Sequence, residues 1–324
     1  MGRFGGLNAV SWLFVLCAAA AALLLATSKH NLWPRQDRRV TALLSLGWTL
    51  FVLLMLVEVQ VGHKLYFSVV MADESYRIAF TDAVLRSGVP PANPLYFAGS
   101  PAAMHYYYFW YVLCAAVAKL AHVSARQAFI ASCIWAGFGL LATVRLYTEH
   151  FFRWERKQRW IALGLLAVTG ADLVPALGQA LLQPTLNGDT EWWSVDPIDA
   201  WPDSLLWVPH HVASVLCCLL GFLLLWRLLV PLSAKETRPA VALAALAFAS
   251  AFGLSVYVVF GFALLMAAWL IRLAILRRTE TAFPLWRPLL TAGLLGAILL
   301  LPFLSELAAG LSAAGGRPDA HSAP

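Results

Sequence analysis

Charged residues are scarce in this chain of 324 residues, where they make up 12% of the sequence. So small a share excludes an ordinary soluble domain, in which roughly a quarter of the residues are charged. Apolar residues account for 61% of the sequence, far more than one soluble core can bury. The composition therefore predicts an all-α, polytopic integral membrane protein.

Cysteine is also sparse, and every cysteine lies inside an apolar stretch. None has the spacing of metal ligands, and no disulfide framework is evident. We interpret all five as small apolar packing residues. They are Cys17, Cys114, Cys133, Cys217 and Cys218.

The net charge of +6 does not indicate a nucleic-acid partner, because the basic residues lie in loops beside apolar helices. The same loops separate eight predicted membrane spans. These are Leu7–Ser28, Val40–Val61, Gln127–Thr148, Trp160–Pro175, Leu205–Val230, Ala240–Gly253, Ser255–Leu273 and Leu285–Leu304. No A-x-A-like cleavage site precedes a soluble domain, so we expect the first span to be a retained helix. Residues 1–311 are expected to form one membrane domain, and residues 312–324 a disordered tail.

A ninth apolar run, Tyr106–His122, is short and begins with unbroken aromatic residues. If it does not cross, four loops and their adjoining helix ends fall on one face with 16 of the 23 basic residues. These loops are residues 29–39, 149–159, 231–239 and 274–284. If it crosses, the last three of these loops move to the face opposite residues 29–39. Most of the basic residues would then lie outside, against the rule that they gather on the cytoplasmic face. We therefore expect an amphipathic or re-entrant helix at the outer interface, and both termini outside.

Acidic residues gather in two predicted outer segments, which hold nine of the 17 carboxylates. Outer loop 1 (about 62–126) holds Asp73, Glu74 and Asp82, and outer loop 2 (about 172–206) holds Asp172, Asp189, Glu191, Asp196, Asp199 and Asp203. Carboxylates contribute little to membrane orientation, so their concentration needs another reason. A solvated loop is one explanation, and a polar site above the bilayer is the other.

Outer loop 1 predicts a short helix followed by a turn-rich path. The helix spans Glu74–Ser87, turns Arg77, Asp82 and Arg86 away from its apolar side, and ends at Gly88. The proline- and glycine-rich residues that follow predict an extended path with tight turns. Irregular backbone of this length cannot rest in lipid, so we expect a structured outer layer.

The order of motifs in this loop is an acidic pair after a span, a short helix, GVPPANP, and then AGSP followed by YYYF. Over about residues 70–150 it resembles the first outer loop of the GT-C superfamily of membrane glycosyltransferases. It is most similar to the uncharacterised multipass family named for its Tyr-Tyr-Tyr motif, here Tyr106, Tyr107 and Tyr108. In the GT-C fold this loop carries juxtamembrane helices rather than a span. Such proteins usually carry more helices, so we expect this chain to be a short or truncated member.

The resemblance implies inverting transfer of a sugar from a polyprenyl-phosphate-linked donor to a hydroxyl of a glycan, lipid or protein acceptor. The expected place is the outer face of a bacterial-type cytoplasmic membrane, among its lipids. Such chemistry needs a carboxylate to accept the hydroxyl proton, and a cation or divalent metal ion to stabilise the departing phosphate. Asp73 matches the family's first acidic position and is the expected general base. Its neighbour Glu74 is the rival, and a solvated acidic pair is the alternative to both.

The candidates for binding the substrate come from both outer segments. Lys64, Arg77 and Arg86 are candidates for the phosphate, against contact with water or lipid headgroups alone. Tyr107 of the aromatic motif is placed with them. In outer loop 2 the family often has another carboxylate, for which Asp172, at the outer end of a span, is the first choice.

The span after outer loop 2 opens with the motif WVPHH, and similar stretches occur at this place in related families. Pro209 suits the first turn of a helix, which puts His210 and His211 at the outer mouth of the bundle. Adjacent residues point about 100° apart on a helix, so we expect one histidine rather than both to face the site. Capping and packing at the interface is the alternative.

Two further features have structural interpretations. Glu58, near the outer end of its span, is costly there unless it is paired or reaches water. The turn Gly253–Tyr257 joins two spans, and we favour close helix packing there over a groove for a lipid tail.

Two other functions fit the same outline: a non-catalytic envelope-assembly protein with this fold, and a transporter or flippase. A transporter buries ionisable residues near broken helices in mid-membrane. Here the charges gather near the two faces, which favours a site at the surface.

Overall fold

The computed structural model describes residues 2–27, 35–66, 70–95, 102–152, 155–166, 201–229, 234–276 and 279–315. This part of the chain is helical apart from one short hairpin and its loops. The elements in order are α1 (Gly2–Thr27), α2 (Arg35–Leu56), β1 (Val59–Val61), β2 (Lys64–Tyr66), α3 (Val70–Ser87), α4 (Phe109–Ala121), α5 (Ala125–Phe151), α6 (Arg156–Leu165), α7 (Trp201–Trp207), α8 (Pro209–Trp226), α9 (Ala234–Leu254), α10 (Val256–Ile275) and α11 (Thr279–Gly315).

Among these, seven helices are long and apolar enough to cross a membrane. They are Gly6–Thr27, Asp37–Leu56, Ala125–Phe151, Pro209–Leu229, Glu236–Leu254, Val256–Ile275 and Trp286–Ala309. Each overlaps a predicted span, which confirms a polytopic helical membrane protein. The bounds differ at two spans, because the predicted Val40–Val61 continues past α2 into β1 and the predicted Leu205–Val230 is interrupted between α7 and α8. The remaining predicted span, Trp160–Pro175, is helical to Leu165 in α6, and its residues 167–175 lie outside the described part.

The C-terminal helix is longer than the sequence pattern indicated. α11 continues to Gly315, past the predicted end of the membrane domain at residue 311. Alanine-rich sequence favours helix, which explains the extension beyond the apolar run. The rest of the predicted tail, residues 316–324, lies outside the described part of the chain.

Ion pairs at their two ends hold α2 and α5 antiparallel. Arg145 Nη2 lies 3.9 Å from Asp37 Oδ2, and Arg126 pairs with Glu58. We call the end with Asp37 and Arg145 the basic end, and the end with Glu58 and Arg126 the loop end. The chain segments before α2 and after α5 therefore meet at one end, as the distribution of basic residues predicted. Glu58 also has the partner that its position requires.

α8 runs parallel to α5, because Phe151 packs on Trp226 at the basic end, with ring centroids 5.2 Å apart. At the loop end the Ser214 hydroxyl donates to the Ala251 carbonyl (2.8 Å), which joins the start of α8 to the end of α9. The chain therefore returns from the basic end to the loop end between α5 and α8. The predicted span Trp160–Pro175 follows α5 at this point, and it is described only as far as residue 166.

α7 forms the last described part of that return. Its Leu205 and Leu206 are buried, and Trp201 lines an apolar cavity of about 330 Å³ together with Trp48 and Leu140. Residues 201–206 therefore pack inside the bundle, because this apolar helix buries its leucines rather than exposing them. The described end of the predicted outer loop 2 is thus a packed helix, and residues 172–200 of that loop lie outside the described part.

α4 lies inside the loop end and is shorter than the seven candidate spans. Its 13 residues extend about 20 Å, short of a hydrocarbon core of about 30 Å. Phe109, at its start, packs on Gly253 at the end of α9. Its end leads directly into α5, where Arg126 donates to the Leu56 carbonyl (3.3 Å). Both ends of α4 thus lie at the loop end, as predicted, but much of the helix is buried in protein rather than lying on the interface.

The loop between α3 and α4 closes on itself. Asn93 N–H donates to the Ala102 carbonyl and Met104 N–H donates to the Pro91 carbonyl, both at 2.8 Å. α3 ends where Gly88, at a φ of 79°, donates its N–H to the Val84 carbonyl (2.9 Å). This left-handed position is why glycine follows the helix. The predicted turn-rich path is confirmed for the described residues.

Candidate functional site

α3 turns a charged pair into the protein. Glu74, Arg77 and Thr81 share one helical face and are 1%, 5% and 0% exposed. Arg77 Nη1 lies 3.4 Å from Glu74 Oε1. The prediction that Arg77 points toward water was wrong, because its spacing places it on the stripe that continues to buried Val84. Glu74 is likewise not a water-facing carboxylate.

The other predicted residues of outer loop 1 lie apart from this pair. Asp73 is in the first turn of α3, and its side-chain position falls outside what the structure describes. Lys64 is exposed on β2. Arg86 is exposed and its Nε lies 2.7 Å from Asp82 Oδ2. Of the three predicted cations, Arg77 is the one that reaches the interior.

Tyr106 and Tyr107 stack on each other close to this face of α3. Their ring centroids are 3.9 Å apart with planes inclined by 29°, and Phe80 of α3 lies 5.6 Å from Tyr106. Burial raises the pKa of Tyr106, the hydrogen bond to Tyr107 raises it further, and the Arg77 charge lowers it by less. Burial also raises the pKa of Tyr107. Both phenols therefore stay neutral at pH 7 and serve as hydrogen-bonding groups.

Tyr108, the third tyrosine of the motif, makes different contacts. Its hydroxyl donates to Glu306 Oε2 of α11 (2.7 Å), and its ring lies edge-on to Phe303 with centroids 5.3 Å apart. Sequence reasoning missed Glu306 because the predicted span stops at Leu304. The available signal was a lone carboxylate at the end of an apolar run, which needs a partner.

The two histidines stand side by side at the start of α8. Pro209 occupies the first helical position, as predicted. The imidazole centroids of His210 and His211 are 4.2 Å apart, and Tyr107 lies 5.6 Å from the first and 5.7 Å from the second. Tyr107 therefore lies near both imidazoles, whereas the sequence led us to expect one histidine rather than both at the site. His210 is 2% exposed, and neither of its ring nitrogens has a hydrogen-bond partner within the described residues.

The turn between α9 and α10 completes the arrangement. Ser255 Oγ lies 2.7 Å from His211 Nδ1, and Tyr257 lies edge-on to Tyr107 with centroids 6.2 Å apart. Close packing of Gly253 supports this turn, because a Cβ there would overlap the Phe109 ring. The predicted packing role of the turn is confirmed, but sequence reasoning gave Ser255 no part in the site.

We call Arg77, Tyr106, Tyr107, His210 and His211 the tyrosine–histidine cluster. It combines a buried cation with phenol hydroxyls, two imidazoles and aromatic faces, all at the loop end. No group of three His, Cys, Asp or Glu side chains that could hold a metal ion occurs within the described ranges. The predicted carboxylate Asp172 lies outside them.

Comparison with known proteins gives one distant relative. The uncharacterised protein y4nK of Sinorhizobium fredii is 27% identical over 209 residues. The match covers 62% of this chain and 28% of that protein, so this chain spans little more than a quarter of the relative's length. No family model matches the chain, and no solved structure matches it.

Proposed function

We propose that this chain carries the site of a membrane glycosyltransferase, which transfers a sugar from a polyprenyl-phosphate-linked donor to an acceptor hydroxyl. One observation carries the proposal: the tyrosine–histidine cluster brings together side chains from α3, from the loop before α4, and from α8, at one end of a helical membrane bundle. A lipid-linked donor brings an apolar tail, a phosphate and a sugar to that same level of the membrane. The resemblance of residues 70–150 to GT-C loops adds to this argument.

Arg77 is the best candidate for binding the phosphate. It is the predicted cation that α3 buries, and its charge acts on both stacked tyrosines. In a site of low dielectric, one cation with several neutral donors stabilises developing negative charge far better than the same groups do in water. The exposed positions of Lys64 and Arg86 favour contact with water or headgroups instead.

The assignment of the base follows from the partner of Glu74. Glu74 is buried and ion-paired with Arg77, so its role is to hold the cation rather than to exchange protons. Asp73 is then the general base. The acceptor oxygen attacks the anomeric carbon while the carbon–oxygen bond to the phosphate breaks. The electron pair leaves on the phosphate oxygen, and the hydroxyl proton passes to the Asp73 carboxylate.

The test is transfer by the purified chain in lipid nanodiscs, supplied with a panel of polyprenyl-phosphate sugars and hydroxyl acceptors. We expect at least one donor to be converted to free polyprenyl phosphate and a glycosylated acceptor, measured by mass spectrometry. Polyprenyl phosphate, but not the alcohol of the same chain length, is expected to raise the thermal unfolding temperature. Binding without transfer from any donor would favour the non-catalytic envelope-assembly function. Absence of both binding and transfer would contradict the proposal.

A further inference from the structure

Ser255 is a buried serine whose hydroxyl has two neighbours. As the N-cap of α10, its Oγ accepts a hydrogen bond from Val258 N–H (3.3 Å). The same Oγ lies 2.7 Å from Nδ1 of His211. The side chain is completely buried, so water does not compete for these contacts.

These contacts determine where the proton of the Ser255 hydroxyl points. Oγ already accepts from a backbone N–H, and its own hydrogen needs an acceptor. Among the residues that the structure describes, His211 Nδ1 is the acceptor within reach. The reverse arrangement, with Nδ1–H donating to Oγ, leaves a buried hydroxyl hydrogen without a partner, which is unfavourable. Ser255 therefore donates to Nδ1, and the neutral His211 carries its proton on Nε2.

We propose that Ser255 is a positioning residue that holds His211 in the Nε2–H tautomer, so that Nε2–H donates to a phosphate oxygen of the lipid-linked donor. His211 is half-buried, its Nδ1 is taken up by Ser255, and its ring lies 5.7 Å from that of Tyr107, so Nε2 is the ring nitrogen left for a ligand at the tyrosine–histidine cluster. The other tautomer presents a lone pair at Nε2, which repels an anionic oxygen. Fixing the donor in advance avoids reorganisation when the phosphate arrives. The identity of the ligand rests on the proposed function, whereas the tautomer does not.

The first experiment reads the tautomer directly. Protein with ¹⁵N-labelled histidine rings is studied by two-dimensional NMR in detergent near pH 8, and the His211 signals are identified by their loss in His211→Gln. We expect Nδ1 to resonate as an unprotonated nitrogen and Nε2 as a protonated one. In Ser255→Ala this single pattern is expected to give way to a mixture of tautomers, and Ser255→Thr is expected to restore it. A protonated Nδ1 in the wild-type protein would overturn the proposal.

Ser214→Ala is the matched control. Ser214 is also completely buried, and its hydroxyl donates to the Ala251 carbonyl (2.8 Å), with the Ser255 carbonyl at 3.5 Å, one turn from His211 and without touching the imidazole. We expect the His211 pattern to be unchanged in this variant, and a change equal to that in Ser255→Ala would overturn the proposal. If Ser255→Ala does not fold, Ser255→Gly replaces it, because glycine retains most of the capping preference without a hydroxyl.

The second experiment uses a short-chain polyprenyl phosphate as the probe and the polyprenyl alcohol as its control. The phosphate is expected to shift the His211 Nε2–H signal in the wild-type protein, to shift it less in Ser255→Ala, and the alcohol is expected to leave it in place. Phosphate binding that leaves His211 unmoved would overturn the proposal but not the proposed function. Failure of the phosphate to bind, with the Nε2–H tautomer present, would count against the proposed function while the positioning by Ser255 stands.

Discussion

The three tyrosines of the YYY motif occupy three different environments. Tyr106 and Tyr107 stack within the tyrosine–histidine cluster, whereas Tyr108 reaches Glu306 of α11. The sequence identified the motif, but three consecutive tyrosines do not indicate in which direction each side chain points. That direction depends on α11, which lies about 200 residues further along the chain.

Replacing Tyr107 or Tyr108 with phenylalanine distinguishes a tyrosine that serves the site from one that stabilises the fold. Tyr108→Phe removes one partner of the Glu306 carboxylate, so the free energy of unfolding is expected to fall by about 1–3 kcal/mol. Transfer per folded molecule should remain near that of the wild type. Tyr107→Phe keeps the ring beside both histidines but loses the hydroxyl that hydrogen-bonds with Tyr106, and we expect lower transfer with little change in stability. Thermal unfolding and transfer by the purified variants measure the two effects, and the opposite pattern would contradict this assignment.

The buried pair of α3 predicts a large cost for removing one partner. Arg77→Met leaves the Glu74 carboxylate in the interior without that cation, and such losses cost about 3–5 kcal/mol. Adding Glu74→Gln is expected to recover much of this loss. The exposed pair of Asp82 and Arg86 gives the control, because breaking it with Arg86→Met costs about 0–1 kcal/mol. Equal losses for Arg77→Met and Arg86→Met in unfolding measurements would show that the interior pair is not formed.

At the scale of elements, α3 shows what a periodic pattern can predict. The sequence predicted a helix ending at Gly88, and the structure has it. The buried face was not predicted, because arginine and glutamate are ordinarily assigned to water. Their burial depends on tertiary contacts with α4 and α5 that a local pattern does not contain. The break before α8 was indicated by Pro209, since its ring suits a first helical turn.

Alanine substitution is expected to have opposite effects on stability at two glycines, one packed against α4 and one in open space. A Cβ at Gly253 meets the ring of Phe109, so Gly253→Ala is expected to lower the free energy of unfolding by about 1–3 kcal/mol. Gly261 of α10 has open space around the same position, so Gly261→Ala should be neutral or stabilising by up to about 1 kcal/mol. Thermal unfolding of the two variants gives the comparison. A stabilising Gly253→Ala would contradict the packing described.

For the whole molecule, the sequence predicted the apolar helices and the grouping of the basic loops. The reason is that membrane insertion depends on properties local to the sequence, namely apolar length and flanking charge. The tyrosine–histidine cluster, in contrast, depends on contacts between residues that are distant in the sequence. It joins α3, the loop before α4, and α8, and Ser255 of the α9–α10 turn packs against it through His211, so residues far apart in the sequence come together through packing alone. Sequence reasoning therefore identified His211 and Tyr107 as candidates but could not place Ser255 beside His211.

The topology predicts a labelling pattern. Residues near the start of α2 and in α6 lie at the basic end, so single cysteines at Gln36 and Gln158 should both be shielded from an impermeant reagent outside intact cells. A cysteine at Lys64, exposed on the hairpin at the loop end, should be labelled. A background without the native cysteines makes the signals unambiguous. Labelling at only one of Gln36 and Gln158 would contradict the arrangement.

The central claim is that Asp73 at the loop end is the base for sugar transfer, and the rate of transfer by Asp73→Asn tests it most directly. Asparagine keeps the shape and hydrogen bonding of the side chain but removes the base, so expression and membrane insertion should be normal. Transfer is expected to fall by roughly a hundredfold or more. Glu155→Gln, an exposed position at the basic end, should change little. If Asp73→Asn retained near-normal transfer and Glu74→Gln abolished it, the base would be Glu74. Near-normal transfer in both variants would contradict the account.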